Sequence, residues 1–90
     1  MHFEWDDANA DHIAEHGVLP ADAEDVLYNA PLFLGDRTSE GQARLVYVGV
    51  TNGGQHLVVS VTKLGDDRIR VCTAFPASEK LISKYEGRNR

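Results

Sequence analysis

Ninety residues supply one domain with one core, which sets aside multidomain architectures. A hydrophobic fraction of 42% with 26% charged residues fits a soluble globular protein, and the lone cysteine, Cys72, excludes an internal disulfide framework. The net charge of -5 disfavours indiscriminate polyanion binding, but residues 1–35 hold eight acids and no Lys or Arg, while residues 36–90 hold all nine basic residues against six acids.

Two readings are open: the second part of the chain has the charge for a local polyanion site, or the asymmetry reflects acidic, solvated helices in the first part. No apolar run approaches the roughly 20 residues that span a bilayer, and no signal-peptide pattern opens the sequence. A cytoplasmic protein without a membrane association is expected, built as a single domain over residues 1–90.

In chain order, Phe3 and Trp5 alternate with polar residues and predict a short extended lead-in that buries two aromatic rings. Asp6 is placed to accept from free amides at a helix start, and Asp7 suits the positive end of the dipole. Ala10, Ile13 and Ala14 share one face of a helix running to His16, and Gly17 supplies the left-handed residue that closes it. A second helix starts at Pro20, whose missing amide hydrogen is not needed at a first helical position, and ends before Pro31. PLFLGDR then reads as a short strand. ARLVYVGVT and QHLVVSVTK, joined by TNGG, read as a hairpin over residues 43–63. LGDD makes a turn, RIRVCTAF the next strand, and ASEKLISKYEG a closing helix with Ser78 as cap and Gly87 as terminator. The expected fold is α+β: two N-terminal helices, an antiparallel sheet of about four strands, and a C-terminal helix.

Alternation sorts the chemistry-bearing side chains. Strict period two places Arg68, Arg70, Cys72 and Ala74 on one face of the last strand, and Ile69, Val71, Thr73 and Phe75 on the other. Arg44 shares a face with Val46 and Val48, opposite Leu45 and Tyr47. Guanidinium groups suit phosphate because their planar fork donates two parallel hydrogen bonds and stays charged; pairing with helix acids is the other role open to them. His16 has two readings as well: a cation favoured at a helix end, or an imidazole that takes and returns protons near neutral pH, as phosphodiester cleavage by a neighbouring hydroxyl requires. His12 and His16, with Glu15 beside them, have the spacing of a metal pair. However, HIAEH lacks the glutamate placement of HExxH and no Cys/His cluster completes a set, so no metal or other cofactor is expected.

Read together, FEWD, HGV, the Glu40-to-Arg44 segment, T-K-x-G-D, RIRV-x-TA, and Ser78–Glu79 with Tyr85 stand in an order that resembles the BrnT family, small toxins of bacterial type II toxin–antitoxin systems. The resemblance covers almost the whole chain. It implies a RelE-like fold and a metal-independent endoribonuclease that cuts cellular RNA and is neutralised by a BrnA-like antitoxin protein in a heterotetramer. Carried over position by position, it implies catalytic roles for His16, Arg44, Arg70, Glu79 and Tyr85, with Arg68 and Lys63 as further RNA contacts. Arg44 and Arg70 would hold the scissile phosphate, His16 or Glu79 would move protons, and Tyr85 would donate a hydrogen bond or stack on a base.

Three positions depart from the family pattern: Phe75 and Leu64 stand where a basic side chain is usual, and Glu15 where a lysine is frequent. Each change removes positive charge and predicts weaker RNA binding. The alternative reading is a non-catalytic interaction domain that keeps the toxin fold.

Overall fold

The computed structural model describes residues 1–88. The described residues form a mixed α+β structure of three helices and one five-stranded sheet: β1 (His2–Glu4), α1 (Asp7–Ala14), α2 (Pro20–Tyr28), β2 (Leu32–Ser39), β3 (Gln42–Val50), β4 (His56–Lys63), β5 (Arg68–Pro76) and α3 (Glu79–Glu86). Across the sheet the strands lie in the order β1-β5-β4-β3-β2.

The expectation of about four antiparallel strands is corrected by one. The aromatic lead-in pairs as a strand, and it does so parallel to β5, with His2, Phe3 and Glu4 opposite Arg68, Ile69 and Arg70. Strands β2 to β5 are antiparallel, as the hairpin pattern predicted.

The first helix is shorter than expected. Asp6 caps it in a reciprocal box: its carboxylate accepts from the Asn9 amide at 3.1 Å and its own amide donates to Asn9 Oδ1 at 2.8 Å. The helix ends at Ala14 with Glu15 as C-cap. His16 therefore sits in a turn, its amide donating to Ile13, before Gly17 takes φ +74. Asn9, only 3% exposed, also donates to the carbonyls of Glu4 and Val71, both at 3.0 Å. That one side chain ties α1 to β1 and β5, with its polar atoms satisfied.

Alternation along β4 builds two cores. Leu57, Val59 and Val61 face α1 and α2, where they meet Ile13, Val18, Ala23 and Val26. Val58 faces the other way and packs with Val48 and Tyr85 of α3. The first core comes close: a Cβ on Gly49 would lie 3.0 Å from Val26 Cγ1 and 3.3 Å from Pro31 Cβ, so glycine is what lets α2 settle on β3.

Two features break strict alternation. On β5 Ser60 pairs with Thr73 but Val61 pairs with Val71, so Cys72 is an extra residue in a β-bulge. The expected face assignment holds to Val71 and then reverses: Ala74 joins Val71 in the first core, and Thr73 and Phe75 turn to the α3 side. The second break lies on β2 between Phe33 and Gly35.

The β2–β3 hairpin closes through Glu40 and Gly41 at φ +52 and +80, a type I′ turn that sets Arg37 opposite Arg44. Helix α3 starts at Ser78, whose hydroxyl accepts from the Leu81 amide at 3.3 Å, and ends at Gly87.

Candidate functional site

Helix α3 is eight residues long, about 12 Å, and covers only part of its face of the sheet. The uncovered part is a groove of about 620 Å³. Val46, Val58, Ser60 and Phe75 line its floor, the β2–β3 hairpin with Arg37 and Arg44 one flank, and Leu81 and Lys84 of α3 the other.

The groove is cationic. Arg37 and Arg44 are direct cross-strand neighbours, an arrangement of like charges that is unfavourable by itself. Among the described residues, neither they nor Lys84 makes an ion pair. Among the described residues, Asp36 is the one carboxylate on the lining. Two polar atoms are buried here without a hydrogen-bond partner: Arg44 Nε and Ser60 Oγ.

Two histidines reach the rim beside β5. The short β1 pairs only with Arg68 to Arg70, and α1 packs on β5. From α1, His12 Nε2 lies 3.1 Å from Thr73 Oγ1, a groove residue. The His16 ring sits 6.0 Å from that of Phe75 and 5.7 Å from that of His12. Both imidazoles thus touch residues of the β5 side of the groove, Thr73 and Phe75, two strands across from Arg44. Among the described residues no set of three or more His, Cys, Asp and Glu converges as metal ligands would.

The other arginines behave differently. Leu45 pairs with Val61, so one step on Arg44 comes level with Thr62, which in turn pairs with Arg70. The two arginine backbones therefore stand two strands apart, roughly 10 Å, on one face. Arg70, however, turns to the sheet edge and grips both oxygens of Asp6 at 2.7 and 3.1 Å. That hydrogen-bonded fork, with the Asn9 amide, holds the Asp6 carboxyl down at about 2, and the same carboxylate raises Arg70 above the ordinary guanidinium value. Arg68 is likewise paired, its Nε donating to Glu4 at 2.8 Å.

The remaining expected positions lie outside the groove. Lys63 borders a smaller, mostly apolar hollow of about 270 Å³ on the α2 side of the sheet. Glu79 is exposed in the first turn of α3, two residues from Leu81 and so rotated roughly 200° from the groove-facing side. Tyr85 is 7% exposed, packed with Val48 and Val58, edge-on to His56 at 5.7 Å and under the Arg88 guanidinium at 3.9 Å.

Of the expected positions, Arg44 lines the groove and His16 contacts its Phe75; Arg37, Ser60, Thr73 and Lys84 also line it, and His12 touches Thr73. Arg37 is fixed opposite Arg44 by the two-residue turn at Glu40–Gly41, whose leading glutamate gives that turn little sequence signature. Thr73 had none, because the Cys72 bulge reverses its face.

A family model described as "Ribonuclease toxin, BrnT, of type II toxin-antitoxin system" matches residues 5–80 of the chain. No curated protein matches it at a significant level.

Proposed function

The chain belongs to the BrnT family of ribonuclease toxins of type II toxin–antitoxin systems, and from that premise we propose that it is an endoribonuclease that cuts cellular RNA in the groove between α3 and the β2–β3 hairpin. The observation that carries this reading is the Arg37–Arg44 pair: two guanidinium groups, side by side on one flank of the groove and outside any ion pair among the described residues, with His12 and His16 in contact with Thr73 and Phe75 on its β5 side. A phosphodiester is the ligand that such a pair suits, since its two free oxygens accept a guanidinium fork and its charge relieves the repulsion.

In this reaction the 2′-hydroxyl of the substrate attacks the adjoining phosphorus while the P–O5′ bond breaks. The products are a 2′,3′-cyclic phosphate and a free 5′-hydroxyl. One imidazole removes the 2′ proton and a protonated one returns a proton to the 5′ oxygen, so no net proton is consumed. His16, beside Phe75, and His12, on Thr73, are the two groups for these tasks. Arg44 and Arg37 offset charge that builds on the phosphoryl oxygens in the transition state. Side chains of this kind supply the chemistry without a metal ion, and that metal independence is part of the proposal.

Arg70 has a second-row part in this reading. It stands level with Arg44 but is held by Asp6, so a phosphate must compete with that carboxylate to engage it. Arg68 and Lys63, which the sequence resemblance implies as further RNA contacts, lie off the groove, Arg68 paired with Glu4 and Lys63 on the α2 side, and have at most a peripheral part in this reading. Glu79 and Tyr85 support α3, the former at the positive end of the helix dipole and the latter in its core contact.

Family membership implies an antitoxin partner. A BrnA-like protein, a heterotetramer with it, a RelE-like fold, a single domain over residues 1–90 and action in the cytoplasm complete the proposal, and the sequence resemblance supports each. One observation favours the alternative of a non-catalytic interaction domain: both arginines of RIR are tied to carboxylates. Incubating purified protein with total RNA in EDTA separates the two readings. Fragments ending in 2′,3′-cyclic phosphate, absent with Arg44→Ala, support the nuclease; RNA left intact by the wild type defeats it.

A further inference from the structure

Ser60 is 6% exposed, lies at the centre of β4 on the groove floor, and has a hydroxyl with no hydrogen-bond partner. Its cross-strand neighbours explain the vacancy in its bonding. Val46 on β3 has an apolar side chain, and Thr73 on β5 has its hydroxyl engaged with His12. A buried hydroxyl with nothing to bond is a cost to the folded chain that alanine or valine at the same place would avoid. Arg44 Nε is in the same condition, buried and unpartnered, on the same groove.

These are two donors with one complementary ligand type. An unbonded N–H and an unbonded O–H on two residues that line one groove, beside two further cations, call for an oxygen anion that accepts both. Phe75 adds a second element. It is 38% exposed on the groove, its ring 6.0 Å from that of His16, and it stands where the family pattern has a basic residue. An aromatic face in a cationic groove is a platform for a base, and duplex bases, stacked on one another, have no face to offer.

We propose that Ser60 is a phosphate-positioning residue, that its hydroxyl and Arg44 Nε–H seat one phosphodiester, and that Phe75 stacks the adjoining base and so restricts the groove to single-stranded RNA. The departure at Phe75 then exchanges a charge contact for a stacking contact. The proposal rests on the ribonuclease reading for its choice of RNA.

The test uses the full-length protein and 2′-O-methyl oligonucleotides, which lack the attacking hydroxyl and cannot be cut. Fluorescence anisotropy compares a single strand with a duplex of the same sequence for wild type, Ser60→Ala, Phe75→Ala and Phe75→Tyr, with a thermal melt of each protein. The single strand binds at least about tenfold more tightly than the duplex, and Phe75→Ala abolishes that preference while Phe75→Tyr restores it. Ser60→Ala weakens single-strand binding about tenfold, the scale of one lost hydrogen bond to a charged group, yet leaves the melting temperature unchanged or higher. A structural serine would do the reverse, so a lower melting temperature with unchanged affinity overturns the proposal. Equal binding of duplex and single strand, or no binding of either, also overturns it. Cleavage is read separately on unmodified RNA. The expected binding pattern without any cleavage removes the ribonuclease reading and leaves the phosphate seat; cleavage without that pattern does the opposite.

Discussion

Arg70 closes on Asp6 through both guanidinium nitrogens, at 2.7 and 3.1 Å, and that carboxylate is at the same time the N-cap of α1. One acid thus fastens the start of a helix to the edge strand pair β1–β5. Because its carboxyl is lowered from 3.8 to about 2, the folded state binds its proton more weakly than the unfolded chain does. The stabilisation is complete above pH 3.8 and is lost as pH falls through about 2. Thermal melts of wild type and Asp6→Asn between pH 5 and pH 2 check this. The gap between the two proteins narrows across that interval; a constant gap means that the fork contributes nothing to acid stability.

The Asp6–Arg70 contact also shows where sequence reading stopped. Two arginines on alternate positions of RIRV were legible as a pair on one face, and that placement is correct. Their fate was not legible, because Asp6 and Glu4 reach them only after β1 docks in parallel from more than sixty residues away. Local pattern carried the 43–63 hairpin, both N-terminal helices and the Ser78 cap, since each depends on neighbours within a few positions. It failed at Cys72, where one extra residue reverses the faces of Thr73 and Phe75. It also failed at Arg37, because Glu is an unusual first residue for the left-handed turn at Glu40–Gly41. The unsatisfied hydroxyl of Ser60 is a property of packing, invisible in a run of valines.

That turn makes a second prediction. Glu40 holds φ +52, a conformation that disfavours side chains with a Cβ and that asparagine tolerates best. Glu40→Asn should stabilise the chain by about 0.5–1 kcal/mol, and Gly41→Ala should destabilise it by about 1 kcal/mol. Urea denaturation measures both. A Glu40→Asn variant less stable than wild type argues against a type I′ turn here.

Ile13 is fully buried and is the apolar anchor of α1 against β4 and β5. Ile13→Ala should cost about 2–5 kcal/mol by urea denaturation. Because His12 and His16 are carried by the same segment, RNA cleavage by the fraction still folded should fall as well. Loss of stability with undiminished cleavage separates α1 from the chemistry.

Salt dependence reports how many cations meet phosphate. With Arg37, Arg44 and Lys84 in the groove, log affinity for single-stranded RNA should fall against log salt with a slope of roughly −2, at about −0.7 per contact. Arg37→Ala should reduce the slope to about −1.4. A slope unmoved by that substitution places the RNA elsewhere.

The most direct test of the groove compares two arginines that differ in their surroundings. Arg44 is unpaired and borders the groove; Arg68 is tied to Glu4 at the sheet edge. In single-turnover cleavage of RNA in EDTA, Arg44→Ala should slow the reaction by about 10²-fold or more, the usual effect of removing a transition-state donor, while Arg68→Ala stays within about twofold. Equal losses, or an Arg44→Ala protein that cuts at the wild-type rate, contradict the assignment of the chemistry to this groove.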